Sequence, residues 1–296
     1  MTALVVAGAI MASLGLLLSS MLAMANKKLY VADDPRIEAA ENLLPHANCG
    51  ACGFPGCRAF AEVLATGETT PGRCSASPVE TVKSLAALLG VEADLRTKRV
   101  ARLACAGARH VARRGALYRG LQSCRAASLA GGGGKGCAWG CLSLGDCAGS
   151  CPFGAITLNE HHLPVVDEEK CTACGECVIA CPKKLFSLHD AEHRLWVACR
   201  NQQMGKAAEA ECEVACTGCG RCVRDAAEGL ISIMDNLATI DYGKIELASL
   251  DAIQRCPTGA IVWIDPENGP IEGQKAKQAA LARQAVRLEL EGAVRS

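Results

Sequence analysis

The residues with the clearest chemistry are Cys171, Cys174 and Cys177, separated by two residues each, followed by Cys181-Pro182. Two-residue gaps let a single loop present three thiolates to the corners of an Fe₄S₄ cube. In two-cluster ferredoxins the fourth cysteine of such a run ligates the other cluster. A second run, Cys137, Cys141, Cys147 and Cys151-Pro152, is irregular, because its middle ligand position is Leu144. Cys137, four residues before Cys141, is the expected substitute. Crossed ligation then predicts one cluster on Cys137, Cys141, Cys147 and Cys181, and another on Cys171, Cys174, Cys177 and Cys151.

A third loop, Cys216, Cys219 and Cys222, is completed by Cys256-Pro257. Its companion run is missing: Ala226, Glu246, Ser249 and Ala252 stand where the spacing calls for cysteine. A single cluster on Cys216, Cys219, Cys222 and Cys256 is the coherent expectation. Ahead of these, Cys49-Gly50-Ala51-Cys52-Gly53-Phe54-Pro55-Gly56-Cys57 with Cys74 forms a separate four-cysteine set. Its spacing alone admits zinc as well as iron and sulfide. Cys105, Cys124, Cys199 and Cys212 remain without a role and are expected to be spare or structural thiols. No catalytic constellation is found: there is no Ser/His/Asp or Cys/His nucleophile set and no dinucleotide fingerprint. The cysteines are expected to act as ligands.

The elements that must position these loops are short. Aromatics make up 3% of the chain while cysteines number 20, so few large side chains remain to fill a conventional interior. Disulfides do not suit closely spaced Cys-x-x-Cys runs, and the usage implies a reducing compartment. Equal numbers of basic and acidic residues, 31 each, with no basic aromatic stripe, argue against a nucleic-acid partner. Cys151-Pro152-Phe153-Gly154-Ala155-Ile156 recurs as Cys256-Pro257-Thr258-Gly259-Ala260-Ile261, which marks a repeated unit of loop, helical turn and strand.

Residues 2–26 carry no charge. As a helix they would span about 36 Å, more than the ~30 Å hydrocarbon core. Lys27 and Lys28 follow, which predicts a single-pass anchor in the cell's cytoplasmic membrane with the remainder on the cytoplasmic side. A cleaved signal peptide is the alternative, but no basic residue precedes the apolar run. Asp33-Asp34-Pro35 should open a helix through Leu44, and residues 79–90 should form an amphipathic helix using Val79, Val82, Leu85, Leu88 and Leu89. The expected organisation is an anchor (1–26), a small iron–sulfur domain (32–91), a basic connector (92–136) ending in a flexible glycine hinge, a two-cluster ferredoxin domain (137–190), a degenerate second module (191–268) and a charged helical tail (269–296). The fold class is α+β, ferredoxin-like.

On the anchor, the Cys-Gly-Ala-Cys-Gly-Phe-Pro-Gly-Cys motif and the ferredoxin module, the chain resembles the B subunit of the Rnf (Rsx) electron transport complex. The N-terminal set also resembles the iron–sulfur domain of the corrinoid iron–sulfur protein, which implies Fe₄S₄ there. The cysteine groups call for about four [4Fe-4S] clusters, and the resemblance implies other membrane subunits as partners. It further implies soluble ferredoxin as electron donor or acceptor, and coupling of ferredoxin/NAD electron transfer to ion translocation. Rival readings are an electron-transfer subunit of another membrane oxidoreductase, a zinc-holding scaffold, or a subunit that reduces a redox regulator.

Overall fold

The computed structural model describes residues 2–29 and 34–295; Asp33 of the expected helix opening lies outside them. Helix α1 (Thr2–Leu29) is apolar, exposed along its described side chains, and closes on Lys27 and Lys28. At 28 residues it is about 42 Å long, and its Val6–Leu29 stretch is long and apolar enough to cross a membrane.

The next unit is a three-helix domain of α2 (Pro35–Leu43), α3 (Cys57–Thr66) and α4 (Val79–Leu89). Asp34 caps α2 by accepting from the Arg36 amide, and Pro35 occupies the first turn, where its missing N–H costs nothing. Ala40, Leu44, Phe60, Ala61, Leu64 and Leu85 form the core, with Cys52, Cys57 and Cys74 packed against it. On α4, Val82, Leu85 and Ala86 are buried, whereas Val79 and Leu88 face outward, so the apolar stripe is narrower than the periodicity suggests.

Two modules with the same plan follow. In the first, β1 (Arg99–Leu103) leads through α5 (Cys124–Leu129) and the one-turn α6 (Asp146–Gly149) to a hairpin of β2 (Ile156–Leu158) and β3 (Pro164–Val166). Then come α7 (Glu176–Ala180) and β4 (Phe186–Asp190), which returns antiparallel to β1 with Leu103 opposite Phe186. In the second, β5 (Leu195–Val197) leads through α8 (Lys206–Glu211) and α9 (Arg221–Asp225) to the hairpin of β6 (Ile231–Met234) and β7 (Leu237–Ile240). Next are α10 (Asp251–Gln254) and β8 (Ile261–Asp265), which pairs antiparallel with β5 and with the short β9 (Gly269–Ile271). The charged tail forms α11 (Gln274–Arg295). Each module is therefore closed by pairing its first strand with its last.

The segment 92–136, expected as a connector, supplies the closing strand β1 and the helix α5. The glycine run is tied down as well: Gly115 donates to the Gly134 carbonyl (2.9 Å) and Gly136 to that of Arg113 (3.0 Å). Hydrophobic periodicity could not reveal β1, because two of its five residues are arginine and its partner is the distant β4.

The modules meet along β1 and β5. Trp196 Nε1 donates to the Leu103 carbonyl (3.0 Å), and the Ala106 amide donates to that of Ala198 (2.8 Å). Trp196 is buried with Val262 and Ile264 against Ala104 and Ala198. In chemical denaturation, Trp196→Phe should cost about 1 kcal/mol through the lost N–H bond, and Trp196→Ala about 3–5 kcal/mol.

Candidate metal centres

The cluster loops share one backbone design. The residue two positions after the first cysteine is left-handed in all three ferredoxin loops: Ser143 (φ 61°), Ala173 (φ 56°) and Gly218 (φ 65°). Gly145, Gly175 and Gly220, two residues further on, are left-handed too, and each begins the short helix whose second residue is Cys147, Cys177 or Cys222. Successive turns of this kind aim backbone amides into one concavity, the arrangement that favours an anionic cluster. At Gly218 the requirement is also steric, since a Cβ there would lie 2.8 Å from the Asn236 carbonyl oxygen.

Four of the cysteine sets line separate cavities with empty volumes of about 310 to 360 Å³. Cys49, Cys52, Cys57 and Cys74 surround the first, between the loop before α3 and the turn before α4. Cys151, Cys171, Cys174 and Cys177 surround the second, in the crossed arrangement expected from the spacing. Cys216, Cys219, Cys222 and Cys256 surround the third. Beside it, the places where a further cluster would need ligands are filled: Ala252 is fully buried and Ala226 packs against the same core as Leu230, Ile240 and Ile253.

The fourth cavity corrects an expectation. Cys141, Cys147 and Cys181 line it as foreseen, but the fourth cysteine is Cys124 and not Cys137. The cause is local. The Asp146 carboxylate, next to Cys147 in sequence, accepts hydrogen bonds from the amides of Cys124 (2.8 Å) and Arg125 (3.1 Å) and from the Ser123 hydroxyl (2.9 Å). It thereby holds the first turn of α5 against the loop, while Leu144 packs beside Cys124, Ala127 and Leu142. Leu144 stands where the spacing calls for a cysteine, and Cys124, 20 residues upstream, is the fourth cysteine at the cavity wall. Cys137 lines a different cavity, with Cys105, Cys199 and Cys212. No spacing rule links Cys124 to this loop; the only trace in the sequence is a helix start at Ser123 that needs an acceptor.

Burial governs the protonation of these thiols. It pushes Cys147, Cys177 and Cys222 up to about 12 and Cys141 to about 11, and neighbouring cysteines add to the rise. Ionised sulfurs therefore require a cation to offset their charge. Amides already point at some of them: Ala101 N donates to Cys171 Sγ and Leu185 N to Cys181 Sγ, both at 3.4 Å. Among the described residues, no three His, Cys, Asp or Glu side chains converge closely enough to share one metal ion. The four-cysteine donor sets and the inward amides fit a polynuclear iron–sulfur cage. Burial raises Cys174, and the charges of Cys151 and Cys49 raise it further.

Cysteine-lined cavities on ferredoxin-type loops, joined to an apolar helix, define an iron–sulfur electron-transfer protein. Two family models match, a putative Fe-S cluster domain over residues 44–76 and a 4Fe-4S dicluster domain over residues 136–185. The chain is 40% identical to the B subunit of the Na⁺-translocating ferredoxin:NAD⁺ oxidoreductase complex of Acetobacterium woodii, over 88% of this chain and 78% of that protein. It is 35% identical to the B subunit of the proton-translocating ferredoxin:NAD⁺ oxidoreductase complex of Clostridium ljungdahlii, over 92% of this chain and 96% of that protein. Against the B subunit of the ion-translocating oxidoreductase complex of Methanosarcina acetivorans it is 35% identical, over 86% and 96% respectively. The chain belongs to the family of B subunits of ion-translocating oxidoreductase complexes of the Rnf type.

Asp146→Ala tests the positioning of Cys124. Burial alone would raise the Asp146 carboxyl, but the Cys124 and Arg125 amides and the Ser123 hydroxyl hold it below the usual carboxylate value. Its stabilisation, about 1 kcal/mol for a lost cap, is complete above the unfolded value of about 3.9 and vanishes as pH falls through the folded value. Denaturation midpoints of wild type and variant should differ at neutral pH and converge in strong acid.

Proposed function

We propose that this chain carries electrons within a membrane-bound complex that couples electron transfer between ferredoxin and NAD to ion translocation. The observation carrying the reading is the set of four-cysteine cavities in a chain that aligns, along most of its length, with the B subunits of two ion-translocating ferredoxin:NAD⁺ oxidoreductase complexes and of a third ion-translocating oxidoreductase complex. The chain's share of the work is one-electron relay; the NAD site and the ion path belong to other subunits.

Four cluster sites support this: Cys49, Cys52, Cys57 and Cys74; Cys151, Cys171, Cys174 and Cys177; Cys124, Cys141, Cys147 and Cys181; and Cys216, Cys219, Cys222 and Cys256. Bound Fe₄S₄ clusters supply one-electron carriers whose potentials respond to hydrogen bonds and burial. The protein's part is to hold the thiolates, exclude water, and direct the amides of Ala101 and Leu185 at the sulfurs of Cys171 and Cys181. Lys27 and Lys28 after the apolar stretch favour a single span with the domains on the cytoplasmic side, where soluble ferredoxin is at hand.

Anaerobic reconstitution followed by iron and sulfide analysis and EPR of the reduced protein tests the reading. Cys124→Ser should lower the content by about four irons and remove one reduced-cluster signal, leaving the others. A preparation of the wild type that holds zinc and no sulfide would overturn it.

The partner is expected to dock by charge. Arg113 keeps its side chain largely exposed, with Glu211 at 3.9 Å, and Arg114 is its neighbour on the strip that bridges to Lys135. Reversing both to glutamate should slow reduction by ferredoxin by about tenfold or more at low ionic strength, and the rates should converge as salt is added.

A further inference from the structure

The four cysteines that no motif claims include three, Cys105, Cys199 and Cys212, that together with Cys137 are distributed by a rule. Cys105 follows two residues after the end of β1, and Cys199 two residues after the end of β5. Cys137 lies four residues before Cys141, and Cys212 four residues before Cys216, the first cysteines of the two corresponding loops. The backbone repeats the same relation. Ala104 N donates to the Leu185 carbonyl and Ala198 N to that of Ala260, both at 2.8 Å. Cys141 N donates to Cys105 Sγ (3.4 Å), and Cys216 N to Cys199 Sγ (3.3 Å). Each module thus supplies an equivalent pair.

The two pairs meet at the module junction. Cys105, Cys137, Cys199 and Cys212 line one cavity with an empty volume of about 310 Å³, in the range of the four already described. The approach is close, because a Cβ added at Gly107 would lie 3.1 Å from Cys212 Sγ and 3.5 Å from Cys105 Sγ. Burial is deep: Cys137 and Cys212 are buried, and Cys105 and Cys199 are partly so. The Asn201 amide donates to Cys199 Sγ (3.4 Å) alongside the Cys216 amide. A cation stands at the rim, with Lys135 Nζ bonded to the carbonyls of Gly107 (2.6 Å) and Cys141 (2.7 Å) and 3.6 Å from the same Gly107 Cβ position. A spare buried thiol needs neither inward amides nor a lysine, and four of them from remote parts of the chain have no reason to converge. Four thiolates would need both.

We propose that Cys105, Cys137, Cys199 and Cys212 bind a fifth Fe₄S₄ cluster, shared between the two modules. The site lies between the neighbouring sets, with Cys105 beside Cys141 on one side and Cys199 beside Cys216 on the other, so it joins the centres of the first module to that of the second. The inference rests on the iron–sulfur reading above but can fail separately from it.

The test uses the full-length chain, reconstituted without oxygen with iron and sulfide, comparing wild type with Cys105→Ser/Cys199→Ser. The variant should hold about four fewer irons and four fewer sulfides per chain, and one reduced-cluster EPR signal should be lost while the others persist. Unchanged iron in this variant overturns the fifth site, whereas absence of iron and sulfide from the wild type overturns the wider reading instead. If the double variant loses several clusters at once, the fully reconstituted wild type decides: about twenty irons and twenty sulfides per chain support the fifth site, and about sixteen of each overturn it.

Discussion

A buried thiolate without a cation beside it is not a stable occupant of a protein interior, and this chain buries nine of its cysteines and half-buries nearly all the rest. Burial pushes several of them to about 11 or 12, far from ionisation at neutral pH. The architecture follows from this constraint. The helices around the ferredoxin loops are one or two turns long, the strands are three to five residues, and the cores are small clusters that use cysteines as packing members. Little else is available to organise the interior of a chain with 3% aromatic residues. Apolar burial at roughly 25 cal/mol per Å² could not offset chain entropy here as it does in a domain built on leucine and phenylalanine. Metal binding must supply part of the folding free energy, as in other small metal-centred domains.

The ferredoxin character of the loops was legible because ligation by a compact loop imposes local spacing. Cys171, Cys174 and Cys177 are a local motif, and the crossed fourth position at Cys151 follows from the same rule. In the second module, two of the positions where the spacing calls for further ligands hold Ala226 and Ala252, which pack as ordinary core residues. The apolar helix and the helices α2 and α4 also followed from composition and capping, whereas α3, which begins at Cys57, did not. What stayed hidden depends on contacts between distant residues. Cys124 reaches its loop through Asp146, a side-chain acceptor that no periodicity marks. The strand β1 is short and carries Arg99 and Arg102, so no local apolar pattern announces it. Its partner β4 lies beyond both cluster loops of the module, and only that pairing makes it a strand.

The offset of four residues before Cys141 and again before Cys216 was present in the sequence, as was the Ala-Cys pair at 104–105 and 198–199. Neither can be interpreted without the strands. Only once β1 pairs with β4 and β5 with β8 do those pairs occupy corresponding places, and only the junction at Trp196 brings them to one cavity. The places of Cys105 and Cys199 are defined by the strands they follow, and strand pairing is a long-range property.

The twofold likeness of the modules has a bearing on what either could do alone. A single copy would expose two thiols and their inward amides at its edge, half of a cage with no means of closing it. Such an edge is sticky and oxidisable until a second copy covers it. Carrying both copies on one chain fixes their ratio and their register. It also lets the two halves drift apart in sequence, as Ala226 and Ala252 of the later copy show, while the seam between them stays matched.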